Sequence, residues 1–398
     1  MSKVPALLIL TAAGTAFLVG GCVPGESKPA AQQRPPAQQS LDSLASWRYA
    51  MSGEFYHGLR AFVFRPDEPG PLAVGTRALA ILSAGQAKTV DTAGDAAALT
   101  VAPNGSHVGR MRLDHDVVAS FQLVALAGAP VWIHDARGHH YYQIGPDARL
   151  VVGLSSNIAH PGKPGSVGTF VFYDRRGIET GRFGCSLPGA AEIAPDGAAV
   201  LIECRDSALV LLDSRARVLA SLTGSFRNAR TAAGGRVLVA VPVGKPRSVL
   251  VGGAGGESRT IELADPVRQL AVTPDGSLVV AGAGGTIYGL RPDAAAPRWR
   301  ATLEGPAPLV TSLAVSPKGL VAVGAVLDGA PAVAGAPGPR AALAALVREG
   351  QVVRTVRFEM ERANAWVPSV ALDPAERWLL VWDPATVWSV DLARWLGR

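Results

Sequence analysis

Leu270-Ala-Val-Thr-Pro274-Asp275-Gly276 is one of four copies of a short pattern in this chain of 398 residues. Each copy has two apolar positions, then a proline and a glycine that close a tight turn, and an apolar, β-branched run follows it. The other copies span residues 99–105, 191–197 and 313–319. Strand on both sides of a turn, with a period of about 40 residues, is typical of β-propeller blades. The repeat therefore predicts an all-β fold with a single propeller.

Weaker copies of the pattern fill the gaps between the four clear ones. Pro146 and Pro374 end similar runs, and the pair Gly234-Gly235 lies midway along the longest remaining gap. Together with the clear copies they make seven turns, which predicts a propeller of seven blades. Residues 50–95 could form one further blade, so eight blades is the alternative.

One unit shows the four strands of a blade most clearly. Its strands are predicted over residues 269–273, 278–282, 286–290 and 299–303. Two other units are longer than the rest, through additional residues 155–168 and 328–340 that are rich in small residues and proline. Insertions of this kind map to loops on one face of a propeller, where binding usually occurs. We expect a partner to dock across these two loops.

The first 21 residues predict a signal peptide. Lys3 supplies a positive end, residues 4–19 are apolar, and Gly20-Gly21 precede Cys22. Small residues allow the backbone to lie extended in a peptidase cleft, and such a segment is removed before folding. It resembles a bacterial lipoprotein signal, with valine in place of the usual leucine three residues before the cysteine. The resemblance implies that Cys22 carries the lipid and begins the mature chain.

The residues after the signal peptide divide into a tether and a folded domain. Residues 22–46 are mostly proline, glutamine, alanine and serine, which cannot bury enough apolar surface to order themselves. They predict a flexible tether, and residues 47–398 predict the propeller. Val23 stands where an aspartate would favour retention in an inner membrane. In a bacterium with two membranes we therefore expect the periplasmic side of the outer membrane.

Charge and motifs exclude several classes of function. The formal net charge is +6, but the basic residues are scattered singly, whereas nucleic-acid binding needs a basic stripe or block. The chain has no G-x-S-x-G, no H-E-x-x-H and no phosphate-cradling loop. We therefore expect no catalytic residues, no metal, no cofactor and no nucleic-acid partner.

Two cysteines besides Cys22 predict a disulfide. Cys185 and Cys204 flank the turn at residues 195–197 almost symmetrically, so a hairpin closed by that turn would bring them together. An oxidising compartment allows the bond to form. The expectation is a disulfide within one blade, which would stabilise the fold by roughly 3 kcal/mol.

The histidines are the basis for an alternative function, that of an enzyme. Six of the seven lie between His107 and His160, and none has the spacing of a known metal or catalytic site. Four of them would have to converge with carboxylates at the central channel for a metal-assisted hydrolase. These are His115, His134, His139 and His140.

The A-x-x-P-D-G turns, each followed by a β run, resemble those of WD-repeat-like and YVTN-type bacterial propellers over most of residues 95–395. One unit, from Gly285 through Tyr288 and Asp293 to Trp299, resembles a quinoprotein-type repeat, which implies that Trp299 docks between blades. A propeller lipoprotein of the outer-membrane assembly machinery has similar repeats, and lactone-hydrolysing propellers resemble the YVTN pattern. Neither resemblance transfers a catalytic set or a quinone cofactor to this chain.

The C-terminal end of the chain is rich in tryptophan. Five of the eight tryptophans fall in the last 33 residues. We expect them to pack the seam where the ring closes, with an N-terminal strand from residues 55–64 or 72–82 completing the last blade. A surface that stacks on cell-wall glycans is the alternative. The sequence thus predicts a monomeric, lipid-anchored scaffold without catalysis that binds an unknown envelope protein. The enzyme and the glycan-binding propeller are the alternatives.

Overall fold

Strands make up most of the chain in a computed structural model. The model describes residues 40–51, 59–65, 68, 70–92, 98–114, 117–126, 128–156, 167–205, 208–255, 258–327, 340–360 and 368–397. Cys22, most of the tether and most of the two insertions lie outside these residues. The described part has two short α-helices, α1 (Leu41–Leu44) and α2 (Leu392–Leu396), and none of its helices has the length and apolar character to cross a bilayer.

The strands form four-stranded groups, which we number as blades in chain order. Blade 1 contains β2 (Leu59–Val63), β3 (Leu72–Gly75), β4 (Ala78–Ser83) and β5 (Gln86–Thr92). Blade 2 contains β6 (Ala98–Val101), β7 (His107–Asp114), β8 (Val117–Ala125) and the first part of β9 (Pro130–Ile144). Blade 3 contains the last part of β9, β10 (Val151–Ser156), β11 (Val167–Tyr173) and β12 (Glu179–Ser186). Blade 4 contains β13 (Pro188–Ile193), β14 (Ala199–Cys204), β15 (Ala208–Asp213) and β16 (Val218–Thr223).

The remaining four blades follow the same order. Blade 5 contains β17 (Phe226–Thr231), β18 (Leu238–Pro242), β19 (Ser248–Gly252) and β20 (Arg259–Glu262). Blade 6 contains β21 (Val267–Val272), β22 (Val279–Ala283), β23 (Thr286–Leu290) and β24 (Pro297–Thr302). Blade 7 contains β25 (Leu309–Val315), β26 (Val321–Val326), β27 (Arg340–Arg348) and β28 (Gln351–Met360). Blade 8 contains β29 (Ser369–Leu372), β30 (Trp378–Trp382), β31 (Thr386–Asp391) and β1 (Trp47–Ala50).

The strand β9 belongs to two blades, which explains why eight blades form seven hydrogen-bonded sheets. Residues 130–139 pair with β8 and residues 139–144 pair with β10, so blades 2 and 3 share one continuous sheet. The count of eight is the alternative that the sequence left open. The seven turn patterns of the sequence join the first and second strands of blades 2 to 8. Blade 1, formed by residues 59–92, has no such pattern.

Hydrophobic seams between consecutive blades close the strands into a ring. Each neighbouring pair of blades shares one cluster of buried aliphatic and aromatic side chains. The eighth seam joins the last blade to the first: Val387 of β31 packs with Ala80 of β4. In the same seam the rings of Phe62 and Trp382 meet edge to face at 5.0 Å. Because every blade buries both of its faces, the sheets need no helical layer.

An N-terminal strand completes the last blade, as the sequence predicts, but it is β1 rather than residues 55–64 or 72–82. β1 pairs antiparallel with β31, Trp47 opposite Ser389. The predicted segments instead contribute β2, β3 and β4 of blade 1, because the chain supplies one more blade than its clear turn patterns indicate.

Residues 40–46, which the sequence assigns to the tether, pack on blades 7 and 8. Leu41 of α1 is buried in the seam between these blades, among Val356 of β28 and Trp395 of α2. The Asp42 carboxylate accepts a hydrogen bond from the Trp388 indole at 2.8 Å. Trp388 and Trp395 are thus packing residues of this seam, and the folded domain begins before β1.

The turn pattern that predicts the fold has a simple geometric basis. The last residue of the turn has a positive φ in blades 2, 4, 6 and 7, where it is glycine, for example +77° at Gly276. Glycine adopts this conformation without steric cost. In blade 8 Glu376 takes that position at +59°, and its carboxylate accepts hydrogen bonds from Ser316 at 2.7 Å and from Arg348 at 2.8 Å. These two bonds hold a non-glycine residue in the turn.

Candidate binding surface

Two copies of one rigid turn lie next to each other on blades 3 and 4, where the third strand of each blade leads to the fourth. In the first copy, the Asp174 carboxylate accepts hydrogen bonds from the backbone N–H groups of Arg176, at 2.8 Å, and Ile178, at 2.9 Å. In the second copy, Asp213 accepts from Arg215, at 2.8 Å, and Arg217, at 2.9 Å. The same residues of the two turns are therefore fixed in the same way.

Each of these turns is closed on its backbone as well. The carbonyl of Asp174 accepts from the N–H of Gly177 at 3.0 Å, and the carbonyl of Asp213 accepts from the N–H of Ala216 at 3.0 Å. Gly177 and Ala216 both have a positive φ, 79° and 60°. Because these backbone groups form their hydrogen bonds within the turn, the turn holds its outward-pointing side chains at fixed positions.

The aspartates of the two turns stay ionised. Partial burial alone would raise the pKa of Asp174, but the backbone N–H of Ile178 and the Arg176 side chain outweigh it and hold the pKa below its usual range. Burial likewise opposes the charge of Asp213, and the backbone N–H of Arg217 and the Arg217 guanidinium lower its pKa. Hydrogen bonds to the charged form favour that form.

The two turns are linked to each other and to blade 2. The Thr180 hydroxyl of β12 donates to the carbonyl of Ser214 in the second turn at 3.0 Å. On the other side, the indole of Trp132 in β9 lies against Gly177, where a Cβ atom would come within 2.8 Å of it. The turns of blades 3 and 4 and the start of β9 therefore form one continuous strip along the edge of the ring.

Apolar and basic side chains are exposed on the two turns. Ile178, at 51%, and Val218, at 57%, are more than half exposed. Arg175 and Arg215 are exposed on the same turns and form no ion pair within the described part of the chain. We call these four residues the rim surface. Exposed apolar residues next to arginines without an ion pair in the described residues fit a binding surface. Ile133 is 67% exposed as well, but it follows Trp132 on β9 and therefore points to the other face of that strand.

A disulfide joins Cys185 and Cys204, the two cysteines that the sequence pairs, with their Cα atoms 5.8 Å apart. The prediction that it lies within one blade is wrong. The turn at residues 195–197 closes the hairpin of β13 and β14, but Cys185 lies on β12 of the preceding blade. The bond therefore links blades 3 and 4 at the ends of their strands that lie away from the two turns, since Cys185 is opposite Gly168 and Cys204 is opposite Ala208.

Removing this disulfide is expected to lower the free energy of unfolding by about 3 kcal/mol, because it closes a loop of about 20 residues in the unfolded chain. The variant is Cys185→Ala with Cys204→Ala, measured by urea unfolding. The native chain in reductant should lose a similar amount, whereas the variant should not respond to reductant. Equal stability of the oxidised native chain and the variant would contradict the expectation.

Histidines and tyrosines fill the seam between blades 2 and 3. Nδ1 of His139 lies 3.2 Å from the carbonyl of Ala136, which can only accept, so this nitrogen carries the proton. Nε2 of His139 then accepts from the Tyr173 hydroxyl at 3.4 Å, and that hydroxyl accepts from Nε2 of His134 at 3.2 Å. The result is a hydrogen-bond chain with one direction, from His134 to the Ala136 carbonyl.

Burial keeps this chain neutral. Burial, with the neighbouring His134 imidazole, lowers the pKa of His139 to about 4. The pKa of His134 is lowered by burial as well, against the opposing charge of Asp135. Burial raises the pKa of Tyr173 to about 12. Each of the three groups is therefore held in its uncharged form near neutral pH.

The hydrolase alternative required histidines that converge with carboxylates, and the structure tests it in part. His134 and His139 do meet, but over a tyrosine hydroxyl and a backbone carbonyl. His140 follows on β9, while His115 and His160 lie outside the described residues. Among the residues that the structure describes, no three His, Cys, Asp or Glu side chains are grouped so as to hold a metal ion.

Trp299 lies where the quinoprotein-like repeat implies. Its indole covers Gly289 of β23 in its own blade, where a Cβ atom would lie within 2.0 Å of the ring. The Trp299 side chain also lies against Gly350 in the turn before β28 of blade 7, where an added Cβ atom would lie 2.8 Å from the Trp299 Cβ and 3.4 Å from the ring. Trp132 makes the equivalent contact between blades 2 and 3, which sequence reasoning missed because no repeat pattern surrounds it.

Comparisons with known proteins support the fold. No family model and no curated protein matches this chain. Among solved structures, the C-terminal WD40 domain of Sif2 is similar with a TM-score of 0.56 and 10% identity, over 87% of this chain and 97% of that one. Hsv2 of Kluyveromyces lactis is similar with a TM-score of 0.50 and 10% identity, over 72% and 89% of the two chains. The chain therefore has a β-propeller fold like that of the WD40 domain of Sif2.

Proposed function

We propose that this protein is a non-catalytic binding scaffold of the bacterial cell envelope, attached to a membrane through a lipid on Cys22. The observation that carries the proposal is the rim surface: exposed apolar side chains, and arginines with no ion pair among the described residues, stand on two turns that their own hydrogen bonds hold in place. Rigid binding groups lose little conformational entropy when a partner docks, so a small surface can bind usefully. Aliphatic residues around arginines fit a protein partner with apolar and acidic side chains.

The tether allows the ring to search for such a partner near the membrane. The described chain begins at Ser40, which forms a single parallel bridge with Arg357 of β28 in blade 7. The segment from Cys22 to Ser40 reaches at most about 60 Å when fully extended. The rim surface lies on blades 3 and 4, across the ring from that bridge.

The insertions at residues 155–168 and 328–340 remain part of the proposal. Each connects the second and third strands of its blade, so the strands that they join end on the face opposite to the turns of the rim surface. Residues 157–166 and 328–339 lie outside the described residues. We therefore assign binding to the rim surface.

No specific observation on the described residues favours the hydrolase or the glycan-binding propeller. The described histidines pack a seam, and Trp388 and Trp395 are buried rather than available for stacking on a glycan. Outer-membrane location, on the periplasmic side, stays a prediction from Val23.

Photo-crosslinking in intact cells tests the proposal. A photoreactive amino acid at Ile178, on the rim surface, is expected to form a covalent adduct with another envelope protein. The same residue at Val352, which is also exposed but lies on β28 of blade 7, serves as the matched control. Cys22→Ser is expected to move the protein from the membrane fraction to the soluble fraction and to reduce the adduct. Equal adducts from both positions, or membrane attachment without Cys22, would contradict the proposal.

A further inference from the structure

The outer strand of blade 4 differs from the outer strands of the other blades. The fourth strand of a propeller blade has an unpaired edge, and natural proteins protect such edges with charged residues or proline. Seven of the eight outer strands follow this rule. Their protecting residues include Lys88, Pro130, Arg182, Arg259, Pro297, Arg354 and Arg48. β16, with the sequence Val-Leu-Ala-Ser-Leu-Thr, has neither a charge nor a proline.

The side chains of β16 are exposed or half-buried along its whole length. Alternate side chains of β16 point into the seam with blade 5, where Ala220 and Leu222 pack. The side chains between them point to the solvent. At its start, Leu219 is the additional residue of a bulge opposite β15, so Val218 and Leu219 are both exposed. An uncharged edge with exposed aliphatic residues is a template on which another strand can pair.

Charges at one end of β16 indicate what would pair there. Arg215 lies three residues before the strand, exposed and without an ion pair in the described residues, and Arg175 lies in the adjoining turn of blade 3. The nearby carboxylates are already engaged, because Asp213 and Asp174 hold their own turns and the side chains of Arg217 and Arg176. The end of the strand therefore offers two free cations and no free anion among the described residues.

We propose that β16 pairs with an extended segment of a partner protein that alternates aliphatic and acidic side chains. Backbone hydrogen bonds would add a fifth strand to blade 4. Aliphatic side chains would cover Val218 and Leu219, and a carboxylate would reach Arg215 or Arg175. This inference rests on the proposed scaffold function and names its partner class.

The test uses the full-length chain in detergent with two synthetic ten-residue peptides, one alternating glutamate and valine, the other lysine and valine. Hydrogen–deuterium exchange reports where a peptide binds. The glutamate peptide is expected to slow exchange of the amides of residues 218–223. The lysine peptide is expected to bind at least tenfold more weakly.

Two variants test whether the glutamate peptide binds at β16 rather than non-specifically elsewhere on the surface. Ser221→Glu places a protecting charge on the exposed side of β16 that also repels an acidic segment, and it is expected to weaken binding of the glutamate peptide at least tenfold. Thr355→Glu places the same charge on the exposed side of β28 and is expected to change nothing. Arg215→Glu is expected to reverse the preference between the two peptides. All three variants change exposed side chains, and unchanged thermal unfolding confirms that they fold.

Several outcomes would overturn the inference. One is slower amide exchange outside residues 218–223. Two others are equal binding of both peptides and binding of neither. The last is a concentration-dependent dimer that buries β16, because a second copy of the chain would then be the occupant. Adducts at Ile178 in cells together with failure of the peptide test would leave the scaffold intact and refute the strand pairing. Loss of both would refute the scaffold as well.

Discussion

A chain that begins at Met51 is expected not to fold cooperatively, whereas a chain that begins at Ser40 keeps the native stability. The shorter chain loses α1 and β1, so β31 becomes an uncovered edge in the last blade. It also loses Leu41, which is buried in the seam of blades 7 and 8. Removing one buried leucine costs about 2–5 kcal/mol. With the lost strand, the total approaches the stability of an ordinary domain, about 5–15 kcal/mol.

Thermal unfolding of the two chains, both refolded under oxidising conditions, measures this difference. The chain from Ser40 should show one sharp transition, and the chain from Met51 should show a broad transition or none. Adding a synthetic peptide of residues 40–51 should restore part of the cooperativity, because it can pair with β31. Melting temperatures within a few degrees of each other would show that β1 does not close the ring.

Acidification from pH 7 to pH 4 is expected to destabilise the ring by about 3 kcal/mol through His139 alone. The pKa of His139 is about 4 in the folded chain, and its ordinary value is 6.5. Between these values the unfolded chain binds the additional proton, so stability is full above about pH 6.5 and is lost as the pH falls. Burial lowers the pKa values of His107 and His134 too, so both contribute with the same sign.

Urea unfolding at a series of pH values measures this dependence. His139→Asn removes the group that titrates, so the slope of stability against pH between 4 and 6.5 should fall by up to about 1.4 kcal/mol per pH unit. Tyr173→Phe is the matched control: it breaks the contact with Nε2 but leaves the buried imidazole, and the slope should remain. A variant and a native chain with identical slopes would mean that His139 does not titrate in this window.

The blades were predictable from sequence because each turn pattern lies within a few consecutive residues. The turn itself requires a positive φ after Pro-Asp, which glycine adopts most easily, as at Gly276. The four strands of blade 6 were predicted within two residues of their boundaries. Blade 1 was harder, since its connection between first and second strands contains Pro66-Asp67 followed by Glu68 instead of glycine. Without that glycine the eighth copy does not stand out.

Features that depend on distant parts of the chain could not be predicted in the same way. The four residues of β1 are too few to show a periodic pattern, and they pair with a strand more than 300 residues away. The disulfide pairing followed from there being two cysteines besides Cys22, but its place between blades 3 and 4 depends on how neighbouring blades pack.

The rim surface was visible in sequence in part. Asp174 and Asp213 each stand at the end of the third strand of a blade, but their role as hydrogen-bond acceptors for the turn needed coordinates. That the two turns touch, and that Trp132 adjoins them, follows from packing between blades.

A crystal structure of residues 40–398 is the most direct test of the closed, eight-bladed ring. The account predicts eight four-stranded blades, β1 paired with β31 with Tyr49 opposite Val387, and Phe62 against Trp382 in the last seam. Seven blades, an open arc, or residues 47–50 away from β31 would contradict it.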